Sequence, residues 1–232
     1  MDRKRTMTGT KFIQIIFIFF LTFSNNKSVF ANSIFLKDDS IKIIRTNKEK
    51  VEEDNFKRLK VGDLFPNITI YDTSGKIVLL DSIFKDSKGV IFVNGSYTCP
   101  SFRSSVPQIN NMVANQIHTY RIYFIYTEEA HPISGSPYGE DQNNNELSLS
   151  AGILVDQPDF IEERGYYAKK AMKDFGLKTY VLLDNENNDF FWKVFSGPNG
   201  FMIFSSQRKL IRQQNWYSPT DDKKSKKKAK NK

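Results

Sequence analysis

Cysteine is almost absent from this sequence, and histidine is scarce. One cysteine, Cys99, and two histidines, His118 and His131, occur among 232 residues. A single cysteine excludes an intramolecular disulfide and also a resolving thiol within the chain, so any disulfide chemistry needs a thiol from outside. We identify no set of metal ligands, and we expect no metal and no bound cofactor.

The sequence also lacks an apolar run of the roughly 20 residues that a membrane-spanning helix needs. Its longest such run, residues 12–23, follows a basic start and leads to Val29-Phe30-Ala31. This layout predicts a secretory signal peptide over residues 1–31 and an exported protein, with an uncleaved membrane anchor as the alternative. No cysteine lies near Ala31, which excludes a lipoprotein.

Basic charge is missing from the centre of the chain, although the formal net charge is +8. Residues 1–31 carry +4 and residues 221–232 carry +5, so residues 32–220 carry −1. We therefore expect no nucleic-acid partner. The mostly charged residues 32–60 predict a linker. The lysine-rich residues 218–232 predict a disordered tail, with attraction to anionic lipid or polymer as the alternative.

The chemically informative stretch is residues 89–103. Val90 to Val93 is a short β-branched run that predicts a buried strand, and turn residues follow it. Pro100 suits the first position of a helix, which places Cys99 at the strand-to-helix junction. The helix N-terminus, with Arg103 one turn later, favours a thiolate and predicts a pKa below the ~8.5 of a free thiol. The alternative is a small buried apolar residue.

Strand and helix patterns alternate over residues 61–217, which predicts one α/β domain with a central mixed sheet flanked by helices. Helices are predicted at about 100–118 and 160–175, a short helix at 190–195, and strands at about 121–126, 180–183 and 201–204. A loop that extends to about Ser150 is predicted between the strand at 121–126 and the helix at 160–175. A cysteine that ends a central strand and opens a helix is a thioredoxin-like arrangement. Such a fold also predicts a proline before a late strand, here Pro198, in a cis peptide that faces Cys99.

Two short segments resemble the iodothyronine deiodinase family. Residues 96–102, Ser-Tyr-Thr-Cys-Pro-Ser-Phe, resemble the family's active-site motif Ser-Cys-Thr-Sec-Pro-Pro-Phe. Residues 126–132, Tyr-Thr-Glu-Glu-Ala-His-Pro, resemble its Tyr-Ile-Glu-Glu-Ala-His-Pro. The spacing between the segments is also similar, and a looser likeness extends from about Val61 to Trp216.

The resemblance implies roles for five residues. Cys99 stands where selenocysteine attacks iodine, and His131 and Glu128 match positions that orient and relay protons. Ser96 and Thr98 match the hydroxyl residues that flank the nucleophile. The residues themselves agree in part, because a proline after His131 biases its backbone towards an extended form, and a nearby histidine can deliver a proton.

Three departures from the family pattern bear on the substrate. The nucleophile is cysteine, which is mostly protonated at neutral pH unless its pKa is shifted. Tyr97 replaces an auxiliary cysteine found in some members. No histidine follows His131, whereas hormone-metabolising members carry a second one that grips the iodothyronine. We expect Glu129, the other acid of the second motif, to be a surface charge.

Three functions are consistent with these residues. The first is a deiodinase-like thiol oxidoreductase in which Cys99 attacks a soft atom, such as iodine on an aromatic ring, and an external thiol or thioredoxin-like donor regenerates it. The second is a one-cysteine thiol peroxidase, since Ser96-x-x-Cys99 fits part of the peroxiredoxin motif, although Phe92 stands where its proline is expected. The third is a non-catalytic, exported interaction domain. A homodimer and membrane association through the N-terminus stay open.

Overall fold

The computed structural model describes residues 40–45, 59–133, 146–194 and 199–214. The predicted signal segment, the lysine-rich tail and Pro198 lie outside the described residues, and so does the predicted cis peptide. Within the described ranges, no helix has the length and apolar character needed to cross a bilayer.

Seven strands and four α-helices follow one another in the described chain. The strands are β1 (Ile70–Asp72), β2 (Ile77–Val78), β3 (Gly89–Gly95), β4 (Tyr120–Tyr126), β5 (Tyr180–Leu183), β6 (Phe201–Phe204) and β7 (Leu210–Gln214). The α-helices are α1 (Leu80–Ile83), α2 (Pro100–Gln116), α3 (Glu146–Leu149) and α4 (Ile161–Phe175), and a π-helical turn spans Phe190–Val194.

The strands form one mixed sheet in the order β2-β1-β5-β4-β3-β6-β7. The three central strands β3, β4 and β5 are parallel, and the outer strands pair antiparallel. Gly95 pairs with Tyr126 at the carboxyl ends of β3 and β4. The residues that follow these two strands, 96–99 and 127–131, therefore meet at one edge of the sheet.

Both faces of the sheet are covered, which explains the continuous apolar run in β3. Alternate residues of β3 enter different cores: Ile91 and Val93 pack with α2 and α4, whereas Val90 and Phe92 pack on the other face. The second core is rich in aromatic rings, and Phe92 contacts four of its phenylalanine rings at centroid separations of 5.3–6.1 Å. The period-two alternation thus fixes which side of each strand faces each core.

Residues 40–45, assigned above to the charged linker, pack on the domain, and we call them the N-terminal strap. Ile43 is 5% exposed, and its N–H donates to the Asp159 carbonyl at 2.8 Å. The Ile161 N–H, at the start of α4, donates to the Ile41 carbonyl at 2.9 Å. The folded domain therefore reaches at least to Ser40, because two backbone hydrogen bonds and a buried side chain hold this segment.

The predicted α/β class with a central mixed sheet is confirmed, and several elements have the expected bounds. β5 and β6 match, and α4 ends at Gly176, whose φ of 67° suits glycine at a helix end. Two details differ. The expected short helix at 190–195 is a π-helical turn, and α3 lies inside the predicted loop before Ser150.

Candidate functional site

Cys99 occupies the N-cap position of α2, directly after the turn that follows β3. Its backbone is extended (φ −74°, ψ 111°), and its Sγ accepts a hydrogen bond from the Phe102 N–H at 3.4 Å. A Cβ at Gly95 would lie 2.8 Å from the Phe102 ring, so only glycine lets the start of α2 approach the sheet this closely. The junction predicted from the sequence is therefore present, but Cys99 is only 1% exposed.

The electrostatic environment of Cys99 differs from the expectation. Burial raises the pKa of the Cys99 thiol to about 11, and the Glu129 carboxylate also acts to raise it. The N–H groups of Phe102 and Ser101 and the Arg103 guanidinium act to lower this pKa, as expected for a helix N-terminus, but burial outweighs them. The predicted lowering of the pKa is wrong for this structure, because the sequence did not show how completely the thiol is enclosed.

The two segments singled out in the sequence form one hydrogen-bonded unit, which we call the Cys99 unit (residues 96–99 and 128–131). Thr98 donates to Glu129 Oε2 twice, from its N–H at 2.8 Å and its hydroxyl at 2.7 Å. The Ala130 N–H donates to Ser96 Oγ at 3.1 Å, and the His131 N–H donates to Thr98 Oγ1 at 2.9 Å. The structure thus brings Ser96, Thr98 and the His131 backbone together beside Cys99.

Glu129 is the centre of the Cys99 unit, although the sequence predicted a surface charge at this position. Its side chain is fully buried, and Oε1 accepts a hydrogen bond from the Tyr126 hydroxyl. That hydroxyl in turn accepts from the Tyr97 N–H at 3.0 Å. Burial raises the pKa of Glu129, and hydrogen bonds from Tyr126, Thr98 and Tyr97 oppose this. The surface expectation is wrong because the residues that follow β3 enclose the Glu129 side chain and donate hydrogen bonds to it.

Gln157 clamps the backbone of Glu129, and this contact had no signal in the sequence. Its side-chain oxygen accepts from the Glu129 N–H at 2.9 Å, and its amide nitrogen donates to the Glu129 carbonyl at 2.7 Å. Ser148 of α3 adds a further contact, because its hydroxyl donates to the Thr98 carbonyl at 3.0 Å. Both residues come from loop-like sequence outside the two motifs. Tyr126, by contrast, stands inside the second motif and could have been identified there.

Glu128 faces a different set of residues. Its Oε1 accepts from Asn188 Nδ2 at 2.7 Å, and its Oε2 has no hydrogen-bond partner among the described residues. Burial raises its pKa to about 7, while Arg164 acts to lower it and Asp184 to raise it. The Glu128 carboxylate is therefore bonded to Asn188. It accepts no hydrogen bond from the His131 ring.

The remaining predicted site residues are Arg103, His131 and Pro198. Arg103 and His131 are half-buried, and Arg103 acts on the Cys99 thiol as expected in direction. Pro198 lies outside the described residues. Within the described ranges, no group of three or more histidine, cysteine or acidic side chains is placed to hold a metal ion.

Alkylation of folded protein tests the environment of Cys99. With a pKa of about 11, roughly one thiol in a thousand is ionised at pH 8, and burial slows access further. We expect the iodoacetamide reaction rate of folded protein to be slow and to keep rising above pH 9. The same protein in urea should titrate near the ~8.5 of a free thiol. A folded midpoint below that of the unfolded chain would contradict the burial argument.

The fold and site define a thioredoxin-like α/β protein with a lone cysteine at the N-terminus of the helix after a central strand. A sequence model of the iodothyronine deiodinase family matches residues 11–185. The chain belongs to the iodothyronine deiodinase family. No curated protein sequence matches it.

Solved structures with related folds share little sequence with the chain. The thioredoxin domain of a thiol-disulfide oxidoreductase from Bacteroides vulgatus is 17% identical, with 73% of this chain and 97% of that chain covered and a TM-score of 0.45. A thioredoxin-like protein from Porphyromonas gingivalis is also 17% identical, with 72% and 90% covered and a TM-score of 0.43. The predicted α/β fold, with a central mixed sheet and a cysteine between a central strand and the following helix, is present in the chain itself, and membership of the deiodinase family supports an oxidoreductase.

Proposed function

We propose that this protein is a deiodinase-type thiol oxidoreductase in which Cys99 removes iodine from an iodinated aromatic molecule. The observation that carries the proposal is the Cys99 unit. Ser96 accepts from the Ala130 N–H, and Thr98 is bonded both to Glu129 and to the His131 N–H, so direct hydrogen bonds join the two segments beside the only cysteine. These bonds hold the two segments beside Cys99 in one arrangement, which is what a nucleophile needs in order to meet its substrate in a defined orientation.

The proposed reaction is a transfer of iodine to sulfur. The Cys99 thiolate attacks iodine, the carbon–iodine bond breaks, and its electron pair stays on the carbon, which takes up a proton. The sulfur is oxidised to a sulfenyl iodide. One external thiol displaces iodide to give a mixed disulfide, and a second thiol releases Cys99 and leaves as the oxidised disulfide.

His131 is the proposed proton donor to the leaving carbon. Its backbone is held by Thr98, one residue before Cys99, and the residue is half-buried, so part of it retains contact with solvent. Imidazole exchanges protons in the neutral range, which suits a donor that must be recharged in each cycle. Because Cys99 Sγ is enclosed and mostly protonated, we expect substrate binding to open its surroundings and a base to take the thiol proton.

The reductant is proposed to be an external thiol or a thioredoxin-like donor protein. The chain has one cysteine, and Tyr97 stands where some family members have a second one, so no internal thiol can resolve an oxidised Cys99. We expect the protein to act outside the cytoplasm after export, or at the membrane if the N-terminal segment is retained.

Two histidine variants provide a matched test of the proposed proton donor. We expect His131→Ala to slow iodide release from 2,6-diiodophenol, with excess dithiothreitol, by about 10²–10⁴-fold, the usual contribution of general acid catalysis. His118→Ala removes the other histidine, which is exposed at the end of α2, and should retain wild-type activity. Iodide is measured by ion chromatography.

Iodide release, measured in parallel with the turnover of hydrogen peroxide, distinguishes the three functions. Iodide release by the wild type that depends on His131 supports the proposal, whereas turnover of hydrogen peroxide alone assigns the protein to the thiol peroxidases. Absence of both activities in folded protein, verified by circular dichroism, rejects the enzyme and leaves an interaction domain. Equal activity of the two histidine variants removes His131 from the mechanism.

A further inference from the structure

Asn188 connects three separate parts of the fold through one side chain. It is fully buried, and its Nδ2 donates to Glu128 Oε1 at 2.7 Å and to the carbonyl of Ile44, in the N-terminal strap, at 3.2 Å. Its Oδ1 accepts from Arg164 Nη2, on α4, at 2.5 Å. Both donors and the acceptor of the amide are therefore used inside the protein.

Arg164 fixes which way the Asn188 amide points. A guanidinium only donates hydrogen bonds, so the Asn188 atom that faces it must be the oxygen, and the NH₂ must face Glu128 and the strap. Arg164 is itself fully buried, and its Nη1 donates to the carbonyls of Asp184 at 2.9 Å and Asn185 at 2.8 Å. The orientation of the amide is thus set by the fold and does not depend on solvent.

The backbone at Asn188 is also unusual. Its φ is +55°, in the left-handed region, which asparagine tolerates better than most residues with a side chain. The Asn188 N–H donates to the Asn185 carbonyl at 3.0 Å, and the Asn188 carbonyl accepts from the Trp192 N–H at 3.0 Å. A left-handed residue held by so many contacts is a conformation that the surrounding structure imposes, as is common near functional sites.

We propose that Asn188 is a positioning residue that locks the N-terminal strap and α4 to Glu128 and thereby holds the Cys99 unit in place. The connection is short, because Glu128 directly precedes Glu129, whose carboxylate binds Thr98 beside Cys99. The part of the proposal that concerns activity rests on the proposed function. The contacts of Asn188 with Glu128 and the strap are tested by titration and proteolysis, which do not depend on the proposed function.

The pKa of Glu128 provides a way to measure its contact with Asn188, because it depends on the charges around the carboxylate. Arg164 from α4 and Arg45 from the strap favour its ionised form, and Asp184 after β5 opposes it. Burial outweighs these charges and raises the pKa from 4.5 to about 7. Because the folded-state pKa is the higher one, the contribution of Glu128 to stability is present below pH 4.5 and is lost as the pH rises through about 7.

Asn188→Asp tests the proposal with almost no change of shape. One carboxylate oxygen still accepts from Arg164, but the other replaces the NH₂ and faces the acceptors of Glu128 and Ile44. We expect the Glu128 titration midpoint to rise by about one pH unit or more, because two carboxylates then share one site. We also expect faster trypsin cleavage after Arg45, since the strap loses a donor, and lower turnover with a shifted pH profile.

Asn187→Asp is the matched control, because it makes the same chemical change one residue away at an exposed position. The Glu128 midpoint is read from the carboxyl ¹³C resonance in glutamate-labelled protein and assigned by its loss in Glu128→Gln. A wild-type midpoint and wild-type strap cleavage in Asn188→Asp would overturn the proposal. Equal shifts of the Glu128 midpoint in Asn188→Asp and Asn187→Asp would also overturn it.

A second variant keeps the test decisive if Asn188→Asp does not fold. Asn188→Gly retains the left-handed backbone without strain and removes only the amide. It should expose the strap to trypsin as well, and unchanged cleavage would reject the role of the side chain. If the wild type releases no iodide, the proposed function fails, whereas the titration and cleavage results still decide the role of Asn188.

Discussion

Replacing Cys99 with alanine is expected to reduce iodide release to the rate of dithiothreitol alone. Cys99 is the only thiol in the chain, so no neighbouring sulfur can take over the attack on iodine. Without a nucleophile the covalent step is lost, and positioning by the rest of the site cannot replace it. The measurement is iodide release over time, compared with a reaction that contains no protein.

Cys99→Ser provides the matched variant for this experiment. It keeps the size of the side chain and an acceptor for the Phe102 N–H, but its hydroxyl is a poor nucleophile towards iodine. Both variants should retain wild-type circular dichroism, because the change in buried volume is small. Wild-type turnover in either folded variant would contradict a role for Cys99 and would favour an interaction domain.

Replacing Glu129 is expected to have the largest effect on stability. Its carboxylate accepts from the Thr98 N–H, the Thr98 hydroxyl and the Tyr126 hydroxyl. Both hydroxyls already accept from backbone N–H groups, so each directs its hydrogen at Glu129. Glu129→Ala leaves these buried donors unsatisfied, at about 1–3 kcal/mol each, and we expect it to lower the free energy of unfolding by about 3–5 kcal/mol in total. Urea unfolding at pH 7 provides the measurement.

Two glutamine variants separate two effects on stability. One is the loss of an acceptor for buried donors, and the other is the loss of a negative charge. Glu129→Gln keeps the shape but turns an NH₂ towards a donor, and we expect a loss of about 1–3 kcal/mol. Glu128→Gln makes the same change at the adjacent position and keeps an acceptor for Asn188, so it should be near neutral at pH 7. Equal losses of unfolding free energy in the two variants would mean that the donors around Glu129 do not determine its contribution to stability.

The sequence predicted the part of the fold that depends on local pattern. The β-branched run of β3, Pro100 and Gly176 each favour one local conformation strongly, and the structure has a strand, a helix start and a helix end at those places. The meeting of residues 96–99 with 127–131 also follows, because parallel neighbouring strands end at the same edge of a sheet.

The sequence could not predict properties that depend on enclosure. The environment of Cys99 combines a helix N-terminus, which lowers the thiol pKa, with burial, which raises it, and only the packed structure gives their balance. The two acids Glu128 and Glu129 look alike in sequence, yet they face different partners. Gln157 and Asn188 lie far along the chain from the residues that they hold, and no motif marks them.

The N-terminal strap has a consequence for the order in which the chain folds. Arg45 reaches its partner Asp159 across 114 residues, and Ile44 reaches Asn188 across 144. Synthesis begins at the N-terminus, so the strap is made long before the residues that hold it, and its contacts can offset the entropy of loop closure only after those residues are in place. We therefore expect strap docking to be among the last steps of folding, and the newly made chain to leave this segment accessible until Asn188 has emerged.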